Sequence, residues 1–390
     1  MSSEWADKTI GEFCPFKYGK GLPERDRRPG QYGVFSSAGL VGTHAAAYVN
    51  SPGVIIGRKG TVGSVTYSPS PFWPIDTAFY IEDQPATRDI RFTYYLLKTL
   101  DLHLMNTDSA VPGLNRENAH ARLVRVPPLE VQKSIAEILV GIDDRITLLR
   151  ETNKTLEAIA QALFKSWFVD FNPVRAKMEG RQPEGMDEAT AALFPDSLQE
   201  SELGLVPRGW SVLKFGEFIE RLSVGKKFDQ KTALVEGLVP ILDQGKSGMI
   251  GFHNETPGVN ASLDSPVVVF ANHTCYMRLI CFDFSAIQNV LPFVGKGVDT
   301  VWAFFATRDR VKFTEYKGHW PDFAIEKAVV PLKSLTDSFR CAVNPLIGRI
   351  RINELQTETL SNLRDTLLPR LISGQLRLPD AEAQIEALTA

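Results

Sequence analysis

The segment Ile142–Phe168 reads IDDRITLLRETNKTLEAIAQALFKSWF and carries apolar residues at helical spacing. They recur every seven positions, at Ile142, Leu149, Leu156 and Leu163, with Ile146 and Ile159 on the same side. Such a stripe predicts a long helix that buries one face and forms a rod about 40 Å long. Pro128 suits the first turn of a helix that leads into this segment.

A second stretch of the chain repeats this spacing. Its heptad positions are Leu346, Asn353, Leu360 and Leu367, with Ile350 and Leu363 alongside. We expect the two matched rods to bury their stripes against each other, although each rod packing separately on its own globule is an alternative. Asn353 either fixes the register of the pair or is a tolerated surface residue. Pro345 suits the first turn of a continuing helix, and Gly374 suits its C-terminal stop.

Matching motifs indicate that both rods belong to a tandem duplication of roughly 200 residues. The matches occur in the same order in both copies: Trp5-x5-Gly11-Glu12-Phe13 with Trp210-x5-Gly216-Glu217-Phe218, Gly19-Lys20 with Gly225-Lys226, Gly39-x2-Gly42-x-His44 with Gly248-x2-Gly251-x-His253, Val54-Ile55-Ile56 with Val267-Val268-Val269, and Val126-Pro127 with Val330-Pro331. A single match would be weak, but their common order makes chance a poor explanation.

Each copy begins with a globule in which short apolar runs are broken by Gly, Pro, Ser and Asn, a pattern typical of an α+β fold. We therefore predict two similar α+β globules separated by two long antiparallel helices that form a coiled coil. The predicted segments are a first globule at 1–127, a first helix at 128–172, a linker at 173–204, a second globule at 205–330, a second helix at 331–376 and a tail at 377–390.

The composition is that of an ordinary globular protein, with 44% hydrophobic and 23% charged residues. Its four cysteines form no metal-ligand spacing and are expected to be reduced thiols: Cys14, Cys275, Cys281 and Cys341. The start of the sequence lacks the regions of a signal peptide, and no apolar run is long enough for a membrane span, so we expect a cytoplasmic, soluble protein.

The net charge of −3 does not by itself indicate a nucleic-acid partner. The charge is unevenly spread, however, because residues 175–204 hold three basic and seven acidic residues. The remainder of the chain can therefore still present a local basic surface.

Four stretches resemble the conserved regions of type I restriction-modification specificity subunits, in the order in which that family has them. They are VPPLEVQKSIAEIL at 126–139, LFKSWFVDFNPVR at 163–175, GLVPRGW at 204–210 and LRDTLLPRLISGQL at 363–376. The start of the second helix, at 331–339, matches the first copy poorly, so its boundary is not defined by the resemblance.

The resemblance implies that each globule is a target-recognition domain that reads one half of a split site in double-stranded DNA. The two conserved helices would hold the domains apart and receive two methyltransferase subunits. S-adenosylmethionine would bind those partners, and a separate restriction and translocase subunit would use ATP and Mg. The chain itself would bind no cofactor and would have no catalytic site.

Two fragments of the sequence resemble enzyme motifs only in part, and a nucleotide-binding motif is missing. The run Asn172-Pro173-Val174-Arg175 lacks the second proline and the aromatic residue of an amino-methyltransferase loop. Asp322, Glu326 and Lys327 do not have nuclease spacing, and no G-x-x-x-x-G-K-[ST] motif occurs. A second class of function, a coiled-coil scaffold that does not bind DNA, fits the duplication and the helices equally well.

Candidate DNA contacts in the first copy centre on the loop Gly57-Arg58-Lys59-Gly60-Thr61-Val62-Gly63. Its glycines would allow close approach to a phosphate, and Arg58 with Lys59 would supply charge and a guanine contact; a plain hairpin turn is the alternative. The candidates are Lys17, Tyr18, Lys20, Ser36, Ser37, His44, Arg58, Lys59, Thr61 and Arg116.

The second copy has a polar loop, Ala271–Tyr276, in the equivalent place, as expected if the two domains read different bases. The candidates there are Lys226, Lys227, Gln244, Lys246, His253, Asn272, His273, Thr274 and His319. Asn272 is a candidate reader of adenine. His44 and His253 occupy matching places, so each either contacts DNA or is a structural turn histidine; neither has a metal-ligand partner nearby.

If the rods set the spacing of the half-sites, their length is testable. Seven residues inserted after Glu151 and seven after Leu355 preserve the apolar stripe and lengthen the pair by about 10 Å. The unread gap should then widen by roughly three base pairs, at about 3.4 Å each. Mapping of methylated sites measures the gap. An unchanged gap in an active complex would assign the spacing to the linker instead.

Overall fold

The computed structural model describes residues 5–105, 113–245 and 248–389. The chain divides into two compact units, one formed by Met1–Leu149 with Gln356–Ala390 and the other by Arg150–Leu355. We call them unit 1 and unit 2.

The strands are β1 Ala6–Thr9, β2 Lys17–Tyr18, β3 Tyr32–Ser36, β4 Gly39–His44, β5 Gly53–Gly57, β6 Val65–Ser68, β7 Phe72–Pro74, β8 Ala78–Glu82, β9 Leu123–Val126, β10 Leu198–Ser201, β11 Gly204–Pro207, β12 Ser211–Lys214, β13 Ile219–Arg221, β14 Val239–Leu242, β15 Met249–His253, β16 Val267–Ala271, β17 Met277–Ile280, β18 Ser285–Ala286, β19 Val290–Gly295 and β20 Lys327–Val330.

The helices are α1 Ile10–Phe13, α2 Ile90–Lys98, α3 Arg116–His120, α4 Leu129–Phe168, α5 Asn172–Met178, α6 Glu188–Ala192, α7 Phe215–Phe218, α8 Thr300–Thr307, α9 Trp320–Ile325, α10 Lys333–Ile372 and α11 Leu378–Thr389. Short 3-10 turns lie at Glu24–Asp26 and Leu102–Met105. Within the described ranges, no helix has both the length and the apolar character that a bilayer span requires.

The two units contain the same sheets in the same strand order. Unit 1 has sheets β4-β3-β7, β2-β8-β5-β6 and β1-β9, and unit 2 has β15-β14-β18, β13-β19-β16-β17 and β12-β20. The pairs β3·β7 and β14·β18 are both parallel, and both three-stranded sheets carry a register shift on their central strand. Unit 2 also contains the ribbon β10-β11.

Matching glycines repeat the same backbone geometry in both copies. Gly39 and Gly248 have φ of 98° and 88°, and Gly42 and Gly251 have φ of 149° and 148°. Residues with a side chain rarely adopt these angles, so glycine is required at the corresponding turns. The predicted tandem duplication of two α+β globules is confirmed.

Strands β5 and β16 lack alternating polar residues, because each lies in a four-stranded sheet that is covered on both faces. In β5, Val54 and Ile56 join the main core of unit 1, whereas Ile55 joins a smaller cluster with Phe35 and Phe72. In β16, Val268 and Phe270 join the aromatic core of unit 2, and Val267 and Val269 join a separate cluster. Alternate residues of a strand point to opposite faces, so a strand covered on both sides loses the apolar-polar alternation.

Each long helix is fixed to its globule by the same hydrogen bond. In unit 1 the N–H of Asp89 donates to Oε1 of Gln132 (3.0 Å). In unit 2 the N–H of Asp299 donates to Oγ1 of Thr336 (2.9 Å). Asp89 and Asp299 cap the N-termini of α2 and α8, and Gln132 and Thr336 hold the same place in α4 and α10. Both copies therefore have this hydrogen bond between the globule and its long helix, which we call the joint. The accepting side chain is Gln132 in unit 1 and Thr336 in unit 2.

The helices α4 and α10 are each 40 residues long and extend further than the apolar stripe predicted. Pro345 lies inside α10 rather than at the start of a new helix, so that expectation was wrong. A proline removes one intrahelical hydrogen bond. Phe339, Val343 and Ile347, on both sides of the proline, are buried in the core of unit 2. This packing stabilises the helix across the proline.

The long helices pair in antiparallel fashion. In unit 2, Phe164 of α4 contacts Phe339 of α10 (5.7 Å between ring centres). Further along α4, Asn153 meets Asn353, whose Nδ2 donates to Asn153 Oδ1 (2.7 Å). Asn353 is fully buried, so the interpretation of this residue as a surface polar group was wrong. The amide pair supports its alternative role in fixing the register.

Two segments outside the helices and globules are structured. The predicted linker at 173–204 contains α6 and β10, and α5 overlaps its start. The predicted tail at 377–390 contains α11, in which Ala381 is fully buried in the core of unit 1.

A polar triad in unit 1 corresponds to an apolar one in unit 2. The hydroxyl of Tyr95 donates to Asp143 (2.6 Å), and Nη1 of Arg364 donates to the other oxygen of Asp143 (2.8 Å). Burial and the hydrogen bond to Asp143 raise the pKa of Tyr95. At the equivalent places unit 2 has Phe305, Ile347 and Ala160, all of them buried.

We predict that Asp143→Ile alone lowers the free energy of unfolding by about 2 kcal/mol, because Tyr95 and Arg364 lose their shared partner. The triple change Tyr95→Phe, Asp143→Ile and Arg364→Ala gives unit 1 the apolar residues found at these places in unit 2. It should recover most of the lost free energy of unfolding. Denaturant unfolding of both variants measures it. A triple variant less stable than the single one would contradict the equivalence of the two sites.

Candidate nucleic-acid interface

The loop between β5 and β6 of unit 1 is tightly folded on its own glycines. A methyl group at Gly57 would stand 2.0 Å from the carbonyl oxygen of Thr61, so only glycine fits there. The N–H groups of Arg58 and Lys59 both donate to the carbonyl of Thr77, at 2.9 and 3.1 Å. The backbone amides of these two residues are therefore engaged, and the loop presents side chains to a ligand.

The guanidinium of Arg58 is held in place by the domain. Its Nη1 donates to the carbonyl of Asp76 (3.2 Å), and its central carbon lies 4.9 Å from the centre of the Tyr18 ring. The guanidinium of Arg116 lies 5.0 Å from the same ring. Nε and Nη2 of Arg116 also donate to Oε1 of Glu117, at 3.0 and 2.7 Å, so this guanidinium is tied to a carboxylate as well as stacked on the ring. Lys17, beside Tyr18, forms an ion pair with Glu82 (2.6 Å).

Lys20 extends this arrangement onto two further aromatic residues. Its ammonium lies 5.6 Å from the Tyr48 ring and 5.9 Å from the Trp73 ring. The Trp73 indole N–H donates to the carbonyl of Lys20 (2.8 Å). Tyr48 and Trp73 were not among the sequence candidates, because no basic residue adjoins either of them in the chain. We call the following residues the basic-aromatic strip: Tyr18, Lys20, Tyr48, Arg58, Trp73 and Arg116.

Other candidates of unit 1 divide by exposure. Lys59 and Thr61 are exposed and Ser36 is half-buried, but Ser37 and His44 are buried. Nδ1 of His44 accepts a hydrogen bond from the N–H of Arg28 (2.9 Å), and its ring packs edge-on against Trp73. The proposal that Ser37 and His44 contact DNA is corrected accordingly, and His44 is a structural histidine.

His253, the counterpart of His44, is also structural. Its Nε2 pairs with Ser285 Oγ (2.9 Å), and its Nδ1 accepts from the N–H of Glu255 (3.0 Å). Its ring stacks on Phe228 with 4.1 Å between centres. Burial lowers the pKa of His253, so the ring is kept neutral and can accept this backbone hydrogen bond. His253 is thus removed from the DNA-binding candidates.

The equivalent loop of unit 2, between β16 and β17, is organised by Gln244. Oε1 of Gln244 accepts from the N–H of His273 (3.0 Å), and its carbonyl accepts from the Thr274 hydroxyl (2.6 Å). Asn272 Oδ1 accepts from the N–H of Trp320 at the start of α9 (2.9 Å). Asn272 thus caps the start of α9 with one lone pair of this oxygen, and its role as an adenine reader stays a prediction.

His273 lies beside an exposed tyrosine that sequence reasoning missed. The ring centres of His273 and Tyr316 are 4.8 Å apart, and Tyr316 is largely exposed. His319 is buried, with Nε2 3.1 Å from the carbonyl of Glu315, so it does not face a ligand. Lys317, next to Tyr316, pairs with Asp322 (3.3 Å). Lys317 and Gly318 directly follow Tyr316, and this basic neighbour is the signal by which the sequence could have indicated the tyrosine.

The three lysines of unit 2 that the sequence indicated as DNA contacts lie in different surroundings. Lys226 forms an ion pair with Glu255 and lies 5.1 Å from the Phe228 ring. Lys227 is exposed, and Lys246 falls outside the described residues. Searched over 5–105, 113–245 and 248–389, the side chains form no cluster of three His, Cys, Asp or Glu suited to a metal ion.

The chain is similar in sequence to known proteins. The family model described as the type I restriction modification DNA specificity domain matches residues 2–158. The specificity subunit of the type I restriction enzyme HindI from Haemophilus influenzae is 24% identical over 334 residues, covering 68% of this chain and 71% of that protein. The specificity subunit of the type I restriction enzyme MjaIX from Methanocaldococcus jannaschii is 23% identical over 318 residues, covering 74% of this chain and 69% of that protein.

A solved structure shares the fold. The S subunit of a type-I restriction-modification system from M. genitalium superimposes with a TM-score of 0.59 at 16% identity, covering 95% of this chain and 96% of that chain. At this identity the likeness concerns the fold alone.

The buried and exposed candidates should respond differently to substitution. His253→Ala removes two hydrogen bonds and a ring stack, and we expect it to lower the free energy of unfolding by about 2–3 kcal/mol. Arg58→Ala with Lys59→Ala should change stability by less than about 1 kcal/mol but weaken DNA binding. Thermal unfolding and binding titrations measure both. Unchanged binding by the double variant would remove this loop from the interface.

Proposed function

Since the chain belongs to the family of type I restriction-modification specificity subunits, we propose that each of its units reads one half of a bipartite site in double-stranded DNA. The protein is the non-catalytic, DNA-recognising subunit of such a system. Its recognition is expected to direct adenine methylation and restriction by partner subunits.

The observation that carries the proposal is the fixed guanidinium of Arg58 in the basic-aromatic strip. Base reading requires a donor whose position is set before DNA arrives, because a misplaced donor cannot meet both acceptors of one guanine. Arg58 meets this requirement through the carbonyl of Asp76 and the ring of Tyr18. Lys20 and Lys59 are exposed and supply charge for the phosphates on either side.

Unit 2 offers a different set of groups on the equivalent loop between β16 and β17 and on the two segments that contact it. Its exposed or half-buried side chains are polar and aromatic, namely Gln244, His273, Thr274 and Tyr316. Contacts of this kind read hydrogen-bonding patterns other than that of guanine. The two halves of the DNA site are therefore expected to differ in sequence.

The partners follow from the family and from the duplication. The protein acts together with other subunits of a restriction-modification system. Because α4 and α10 are copies, they provide two related docking surfaces, and we propose that two methyltransferase subunits occupy them. S-adenosylmethionine would bind these partners, and ATP with Mg would serve the restriction and translocase subunit. The site of action would be the cytoplasm of a prokaryotic cell.

A coiled-coil scaffold without DNA binding is not favoured. It would give no reason for stacking Arg58 and Arg116 on one exposed tyrosine. It would also leave unexplained why the surface loops differ between the copies while the buried joints are kept.

An exchange of one globule tests the proposal. Replacing residues 205–330 with the matching domain of a relative should alter one half of the recognised site, because each globule makes its own contacts with DNA. Co-expression with the methyltransferase partner and mapping of methylated adenines measures the site. The reciprocal exchange of residues 1–127 is the control and should alter the other half. Methylation without any sequence preference would support the scaffold.

A further inference from the structure

The turn Glu24–Arg28 of unit 1 continues the basic-aromatic strip along the edge of β4. Nη1 of Arg27 donates to the carbonyl of Val41 (3.0 Å), which holds the turn against that strand. The N–H of Arg28 donates to His44 Nδ1 (2.9 Å), and His44 packs against Trp73 of the strip (5.4 Å between ring centres). The turn is thus continuous with the proposed DNA-binding surface.

The arginines of this turn differ in whether other groups of the protein hold their side chains. Arg27 is tied to Val41, whereas the side chain of Arg25 is 86% exposed and its nearest carboxylate, Asp26, lies 3.9 Å away. Arg28 is exposed, and in the described part of the chain its guanidinium has no hydrogen bond or ion pair. Glu24 and Asp26 offset two of the three positive charges, so the turn keeps a net charge of about +1 at neutral pH.

The corresponding loop of unit 2, between β13 and β14, has a different set of side chains. A methyl group at Gly42 would stand 3.4 Å from Arg27 Nη1, and one at Gly251 would stand 2.5 Å from the carbonyl oxygen of Leu234. The two loops therefore cover the same place in the duplicated fold. The unit 2 loop exposes three apolar side chains, Leu234, Val235 and Leu238. The same loop also carries three exposed lysines, Lys226, Lys227 and Lys231, of which Lys226 is paired with Glu255.

We propose that Arg25 and Arg28 form a phosphate anchor of unit 1, an inference that rests on the proposed function. A guanidinium held by its own domain, such as Arg58, is suited to read one base. A guanidinium that the domain leaves free adapts to the phosphodiester backbone, which has the same charge in every sequence. Charge complementarity and continuity with the strip identify DNA as the occupant.

The test is the salt dependence of DNA binding by the full chain with its methyltransferase partner. The probes are a duplex carrying the site mapped by methylation and duplexes with one half-site scrambled. Arg25→Ala with Arg28→Ala should lower the slope of log K against log salt by about two, at about 0.9 per phosphate contact. The preference for the mapped site over each scrambled duplex should stay within about threefold of that of the unchanged protein, since phosphate contacts carry no sequence information. The matched control, Lys8→Ala with Arg125→Ala on the ribbon β1-β9, removes the same charge and should leave the slope unchanged.

The outcomes separate the two proposals. If the unchanged protein shows no preference for the mapped site, the proposed function fails. If the preference is present but the Arg25 and Arg28 variant keeps the full slope, the anchor alone is overturned. An equal drop of the slope in the Lys8 and Arg125 control also overturns it, because general charge would then explain the effect. A changed preference at one half-site would show that these arginines read bases.

Discussion

Burial of the apolar stripes of α4 and α10 is the interaction on which the other features depend. Within unit 1, Leu139 and Leu367 lie in the same core as Ile90 of the globule, and within unit 2, Phe164 and Phe339 lie in the same core as Trp302. Each globule therefore completes its core with both long helices. Because the helices provide core as well as connection, their residues are constrained on more than the one face that a coiled coil would bury.

The joint between globule and helix shows how a duplicated site diverges while its geometry is kept. The backbone N–H groups of Asp89 and Asp299 donate to different side chains, the amide oxygen of a glutamine and the hydroxyl of a threonine. Both hydrogen bonds are close to 3 Å long. The triad of Tyr95, Asp143 and Arg364 goes further, because its counterpart is apolar. A hydrogen-bonded set and a packed apolar set can fill the same volume at similar net stability. Stability therefore permits either solution, provided that all members change together.

Preorganisation separates the side chains that can read a base from those that merely lie on the surface. Arg58 is placed by a carbonyl and a ring from two different segments, whereas His253 uses both ring nitrogens in hydrogen bonds within the fold, and buried His44 uses its Nδ1 in the same way. A residue type that is able to bind DNA is thus a weak indicator until its other partners are known. The free arginines of the turn before β3 form a third group, suited to a uniform charge rather than to a particular base.

The amino-acid sequence by itself determined the duplication, the α+β class of the globules and the two long helices, because periodicity and repeated motifs are local properties of a chain. It also indicated the loop of Arg58 and Lys59 and its neighbour Tyr18. Only the tertiary structure decided that Pro345 lies within a helix, that Asn353 is buried, and that His44, His253 and His319 are structural. It also brought Tyr48 and Trp73 to Lys20. Burial and hydrogen-bond partners depend on residues far apart in the chain, and no local pattern encodes which of two polar atoms will face inward.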